Sequence, residues 1–359
     1  MAKFHTLRVA DVRRETADCV SVAFEVQDSL KEDYKYIQGQ YLTLKLKVKG
    51  TEIRRSYSLC SSPLADRELR IAVKKVKDGL GSGFINDSVK AGDQIEVMTP
   101  MGNFYTPVSP SNKKNYVLFA GGSGITPMLS IIKTIVQAEP FSTLILFYGN
   151  RDLASIIFKK ELEDLAVTHS GRFGLYQILE NPPAGTDALY AGVLSKEKVK
   201  ALISKHIQTS SDNEYFVCGP GPMMENVKTC LTELKTDEKR VHIEYFTAVL
   251  EAVNKAEAAS SAPAASGLSK ITVILDGQRT DFELAANGKV ILDKALDMGL
   301  DVPYACKGAV CCTCRAKLLE GKVKMDNNYA LTDNEVKEGF ILTCQSHPLS
   351  PTVVVDYDV

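Results

Sequence analysis

The stretch "YACKGAVCCTCRAKLLEGKV", residues 304–323, crowds four cysteines into nine positions, and a fifth, Cys344, follows in "ILTCQSHP", residues 341–348. Thiols at this density serve zinc, a disulfide framework, a redox pair or an iron–sulfur cluster, and the choice depends on spacing and on the rest of the chain. That chain has 359 residues, 45% of them hydrophobic, enough to bury the cores of roughly two or three domains, so it is no small scaffold in need of stapling. Lys and Arg number 43 against 44 Asp and Glu, a balance that gives no electrostatic case for a nucleic-acid partner. The most membrane-like run, residues 116–136, has a glycine-rich centre and is interrupted by Lys133, and residues 1–15 lack a signal-type apolar core. These features predict a cytoplasmic chain with no membrane insertion, in surroundings where clustered cysteines bind metal or do redox chemistry.

The spacing Cys306-x4-Cys311-x2-Cys314-x29-Cys344 follows the plant-type [2Fe-2S] pattern, with its distant fourth ligand. Structural zinc also accepts four thiolates, but its usual signature is paired C-x2-C knuckles, and one clean pair is present. Choosing Cys311 keeps both short intervals and choosing Cys312 breaks them, which leaves Cys312 as a buried, unligated thiol. Cys19, Cys60 and Cys230 have no partners in sequence and read as packing residues.

Outward from the cysteines, the texture of the chain changes three times. Residues 1–108 carry short β-rich runs, "CVSVAFEV", "YLTLKLKV", "LRIAVKKV" and "QIEVM", which predict an antiparallel β-barrel. Residues 109–247 alternate apolar strands ("NYVLFA", "STLILFYGN", "EYFVC") with helical segments, which predicts a parallel α/β domain. The Ala/Ser-rich segment 248–267 predicts a linker. Residues 268–359 open with a hairpin pattern, "KITVILDG" and "RTDFELA", then a short helix before the cysteines, which predicts an α+β unit.

Four segments accompany the cysteine pattern: "RRSYSLCSSP" (54–63), "DGLGSGFI" (78–85), "GGSGITPM" (121–128) and "CGPGPMM" (218–224). Together with "CKGAVCCTC" they resemble the ferredoxin–NAD(P)H reductase-like family over nearly the whole chain. The resemblance implies a flavin-binding β-barrel, a nicotinamide-binding α/β domain and a C-terminal plant-type ferredoxin domain whose ligands are Cys306, Cys311, Cys314 and Cys344. It further implies an NAD(P)H-dependent electron-transfer oxidoreductase serving oxygenase components, with a di-iron phenylacetyl-CoA epoxidase of phenylacetate degradation as the expected partner.

The residues suit those roles physically. Arg55 offers directed donors to a flavin phosphate, Tyr57 an aromatic plane and Ser58 a hydroxyl near the reactive edge. Gly79 and Gly81 permit close backbone approach, and Ser82 is suited to start the helix that follows, whose free N–H groups receive pyrophosphate. This loop beside Arg55 favours FAD over FMN. Gly121, Gly122 and Gly124 follow an apolar strand, and Thr126 with Pro127 suits a helix start. The segment is not the G-x-G-x-x-G fingerprint, so its assignment to the dinucleotide rests on the resemblance. By the same resemblance Cys218, Gly219 and Pro220 flank the nicotinamide and Phe246 of "HIEYF" neighbours the flavin ring. Arg151 follows a strand end in "FYGNRD", where it suits the 2′-phosphate of NADPH; as a plain surface residue it would leave NADH open.

Overall fold

The computed structural model describes residues 3–208, 212–246 and 267–359, so the linker expected at 248–267 lies outside the described residues except for Gly267. Among the described residues the strands form three main sheets and one two-stranded ribbon.

The first sheet holds β1 (Phe4–Thr16), β2 (Cys19–Glu25), β3 (Tyr41–Val48), β4 (Thr51–Ser58), β5 (Leu69–Lys74) and β6 (Gln94–Met98), in the order β4-β3-β6-β1-β2-β5. Every pairing in it is antiparallel, and Leu7, Val9, Val22, Leu42, Leu44 and Val97 fill its core. The expected barrel is here corrected to an open half-barrel. The edge strands β4 and β5 meet only beyond β4, through an isolated bridge between Leu59 and Ile71. There the amides of Cys60 and Ser61 both donate to one acceptor, the Arg70 carbonyl, at 2.9 and 3.4 Å, a bulge-like irregularity beside the bridge. Helix α1 (Leu80–Ser88) packs across this gap from the β5 side.

The second sheet is parallel throughout, in the order β11-β10-β7-β8-β9. Its chain order is β7 (Asn115–Gly121), α2 (Ile125–Ala138), β8 (Thr143–Asn150), α3 (Lys159–Thr168), β9 (Phe173–Leu179), α4 (Lys196–His206), β10 (Asn213–Cys218), α5 (Gly221–Glu233) and β11 (Val241–Glu244). β7 and β10 are buried along almost their whole length, on both faces, because helices cover both sides of the sheet. The strand order reverses between β7 and β10, and such a switch point opens a crevice at the carboxyl ends of the strands. Both glycine loops, 121–124 and 219–221, begin there.

The third unit is a mixed sheet of β12 (Leu268–Leu275), β13 (Gln278–Ala285), β14 (Arg315–Glu320), β16 (Phe340–Leu342) and β18 (Thr352–Asp356), ordered β13-β12-β18-β14-β16. A ribbon of β15 (Val323–Met325) and β17 (Ser346–Pro348) and the short helix Ile291–Asp297 complete the α+β arrangement. Ile271, Val273, Leu292, Val353 and Val355 form its core, under the loop that carries the cysteines.

Candidate functional site

On the half-barrel, Arg55, Tyr57 and Ser58 lie along β4, with Ser58 buried, Tyr57 half-buried and Arg55 exposed. Arg55 and Tyr57 face the start of α1, and Ser58 lies on the other face of the strand. A side chain built on Gly81 would come within 3.1 Å of the Arg55 stem and of the Tyr57 hydroxyl, so the missing Cβ keeps open a cradle between helix and strand. The expectation that Ser82 starts the helix is corrected: α1 begins at Leu80 with Gly79 as its cap. Ser82 Oγ instead accepts from the Val76 amide at 3.0 Å and donates to the Gly79 carbonyl at 3.4 Å, which braces the loop. The first intrahelical bond runs from Gly83 N–H to Gly79 O, leaving the N–H groups of residues 80–82 ahead of it at the positive end of the helix. A guanidinium, these amides and an aromatic edge fit a flavin with its pyrophosphate.

At the switch point the two glycine loops pack on each other. A Cβ on Gly124 would stand 2.0 Å from the Cys218 carbonyl oxygen, and one on Gly219 would stand 2.8 Å from the Gly121 amide nitrogen. Gly121 and Pro220 line a cavity of about 210 Å³ together with Gly149, Asn150, Glu180 and Asn226. Asn150 is 7% exposed, and its amide, beside the Tyr148 hydroxyl, makes no well-formed hydrogen bond. A buried unpaired amide in a cleft at strand ends suits a polar ligand such as a dinucleotide. Gly122 carries its carbonyl to the Tyr148 hydroxyl at 2.9 Å, and Thr126 spends its hydroxyl on Ser123 O at 3.0 Å within its own turn. Arg151 is exposed and paired with Asp152 at 3.1 Å, outside the lining of this cavity. Cys218 is fully buried at the end of β10, and burial, then the nearby Glu244 carboxyl, pushes its thiol well up, which keeps it protonated.

The four expected cluster ligands stand as two pairs, Cys306 with Cys311 at 3.1 Å between sulfurs, and Cys314 beside Cys344. Among the described residues no three His, Cys, Asp or Glu side chains converge on a single ion position. Two pairs suit a dinuclear centre, with two thiolates for each iron, better than one tetrahedral zinc. The loop itself is strained: Lys307 and Ala309 hold φ of +52° and +62°. Alternating left-handed residues turn successive N–H groups to one side, a nest for an anion. The Cys311 thiol and the amides of Gly308, Val310 and Cys311 draw Cys306 down to about 6 against the opposing effect of burial. Cys312 points elsewhere, donating to Ala330 O at 3.3 Å, and burial pushes its thiol up to about 12.

These sites adjoin. A small cavity of about 50 Å³ is lined by Ser58 and Phe246 together with Cys306 and Cys311, and Tyr41 and Glu244 are also among its lining residues. Burial alone lifts the Glu244 carboxyl to about 8. Sequence reasoning gave neither Tyr41 nor Glu244 nor Asn150 a role; strand periodicity places each in an element, and nothing local in "QGQY", "HIEY" or "FYGN" reports what distant segments bring to it.

Comparison with known proteins agrees with the three sheets. Residues 6–106 match the oxidoreductase FAD-binding domain, 118–229 the oxidoreductase NAD-binding domain and 273–349 the 2Fe-2S iron-sulfur cluster binding domain. The chain is 40% identical over 358 residues to a subunit of the 1,2-phenylacetyl-CoA epoxidase of Escherichia coli (strain K12), over 100% of this chain and 99% of that one. It is 35% identical over 363 residues to the ferredoxin reductase component of the 3-ketosteroid-9-alpha-monooxygenase of Mycobacterium tuberculosis (strain ATCC 25618 / H37Rv), over 98% of this chain and 95% of that one. Among solved structures, phthalate dioxygenase reductase gives a TM-score of 0.58 at 24% identity over 98% of both chains, a likeness of fold.

Proposed function

The chain belongs to the FAD- and NAD(P)H-binding reductases that carry a C-terminal [2Fe-2S] domain, and from that premise we propose that it oxidises NADPH and delivers electrons to a di-iron phenylacetyl-CoA epoxidase of phenylacetate degradation. When bound, the nicotinamide gives a hydride, the flavin takes two electrons and releases them singly, and the cluster carries one. The residues supply the order. Arg55 and the amides of residues 80–82 hold the flavin phosphates, and Tyr57, Ser58 and Phe246 frame its ring. Cys218 and the loops 121–124 and 219–221 bring the nicotinamide to it. Cys306, Cys311, Cys314 and Cys344 hold the cluster.

The observation that carries this reading is the shared cavity, which Ser58 and Phe246 line together with Cys306 and Cys311. The test is the visible spectrum of the purified protein before and after NADPH, followed by turnover of phenylacetyl-CoA with epoxidase components. Flavin and cluster bands that both bleach, with turnover only in the presence of the epoxidase, are expected. The 35% identity to a ketosteroid monooxygenase reductase supports a second reading, delivery to another oxygenase, which wins if that oxygenase turns over and the epoxidase does not.

For the coenzyme, Arg151 is the cation we assign to the 2′-phosphate, and Glu180, which does line the cavity, is the group that would instead favour the bare ribose of NADH. Arg151→Ala should lower kcat/KM for NADPH about tenfold and leave that for NADH unchanged; the same NADPH-to-NADH ratio in mutant and wild type would remove Arg151 from the site. We place the chain in the cytoplasm, a reading supported by nine cysteines without a disulfide; no described helix is long and apolar enough to cross a membrane.

A further inference from the structure

Arg54, the first arginine of "RRSYS", is turned away from the flavin cradle and is 6% exposed. Its guanidinium donates to Asp301 at 2.7 Å and to Glu52 at 3.2 Å, and lies over the ring of Tyr304 at 4.5 Å and that of Phe4 at 5.3 Å. Asp301 and Tyr304 belong to the segment that leads into Cys306, so a β4 residue of the flavin sheet grips the approach to the cluster loop. A second grip comes from β3. The Tyr41 hydroxyl accepts from the Cys312 amide at 3.1 Å and lies 3.3 Å from the Thr313 hydroxyl, between ligands Cys311 and Cys314. Gly102, at φ +120°, makes room for that ring, since a Cβ there would come within 2.9 Å of it. Asn103 adds a bond to Glu335 at 3.0 Å.

The apolar part of this interface is small: Tyr41, Ala305 and Cys311, with Met101 and Cys306 at its edge. Burying a guanidinium costs desolvation that an apolar side chain would avoid, and what a directed ion pair adds is register between the two surfaces. Arg and Tyr are the side chains that anchor reversible interfaces, and inter-domain contacts within a chain resemble these in being polar.

We propose that Arg54 and Tyr41 are positioning residues that dock the [2Fe-2S] domain on the flavin sheet, holding the Cys306–Cys314 loop against the Ser58 strand for internal electron transfer. The proposal rests on the electron-delivery reading above and names the contacts that make it work. Its ionic half depends on Asp301, 76% exposed, which can be changed without disturbing a core.

The test uses the full-length holoprotein. After rapid mixing with NADPH, Asp301→Arg and Arg54→Gln should bleach the flavin band at the wild-type rate and the cluster band about tenfold more slowly, the loss expected when a buried guanidinium and its carboxylate partner are parted. Asp301→Glu, which keeps the pair, should stay within about twofold of wild type. Small-angle scattering supplies a readout independent of turnover: the radius of gyration should rise in Asp301→Arg and not in Asp301→Glu. An unchanged cluster phase together with an unchanged radius in both disruptive variants overturns the proposal. So does equal slowing of the flavin phase, which would make Arg54 part of the flavin site. If NADPH fails to reduce the wild-type cluster, the electron-delivery reading falls, and the scattering comparison alone then decides the docking.

Discussion

Cys311 and Cys312 are adjacent in the chain and opposite in chemistry, one paired with Cys306 and the other bonded to Ala330. Cys311→Ser should therefore strip the cluster's iron and its visible absorption, while Cys312→Ser should retain most of both; iron and acid-labile sulfide analysis of the two variants decides it, and the opposite pattern would exchange their roles. Spacing alone makes this choice, because two fixed intervals single out one thiol of the pair. Arg55, Tyr57 and Gly81 were legible as separate motifs, and the fold adds that they meet. Arg54 and Tyr41 were not legible. Their partners Asp301 and Cys312 stand 247 and 271 residues downstream, and no local pattern encodes a contact between two domains.

At the level of elements, the two glycine loops behave as one piece. Gly124 sits on the Cys218 carbonyl, a backbone atom that cannot swing aside, so Gly124→Ala should cost about 1–3 kcal/mol of stability and also raise KM for NADPH. A thermal melt and a KM measurement check both; a normal KM in a destabilised protein would separate packing from binding. The strands beneath are pinned by Glu214 on β10. Burial pushes its carboxyl up, but His242, the Lys114 ammonium at 2.9 Å and Thr106 outweigh this and hold it at about 2. A carboxyl depressed from 4.5 to about 2 contributes stability that is full above pH 4.5 and is lost as pH falls towards 2, about 3 kcal/mol in all. Glu214→Gln should flatten the acid limb of a stability curve over that window and leave a variant less stable at pH 7. Element type was legible here, since β-rich runs with only turns between them and strands alternating with helical segments distinguish the antiparallel sheet from the parallel one. Closure of the first sheet was not: strand count and turn signals suit a barrel, and whether the two edge strands pair along their length is written in neither strand alone.

For the whole molecule, a chain ending at Phe246 should keep its flavin and reduce a small-molecule acceptor with NADPH, because the cradle and the switch-point cleft both lie upstream of that residue. It should fail with the oxygenase, having lost its one-electron outlet. Full oxygenase turnover by the shortened chain would overturn the proposed route, and loss of flavin would show that the half-barrel needs the third unit to cover β3 and β4. The third unit has its own order of assembly. Its central strand β18 follows all the others in the chain and lies between β12 and β14, so the β13-β12 and β14-β16 pairs are joined into one sheet only through it. The flavin sheet, by contrast, has all its strands by Met98. During synthesis, where domains fold as they emerge from the ribosome, the first sheet can assemble and take up its cofactor long before the cluster domain has a middle. A nascent chain stalled with residue 351 still inside the exit tunnel should carry flavin and no iron.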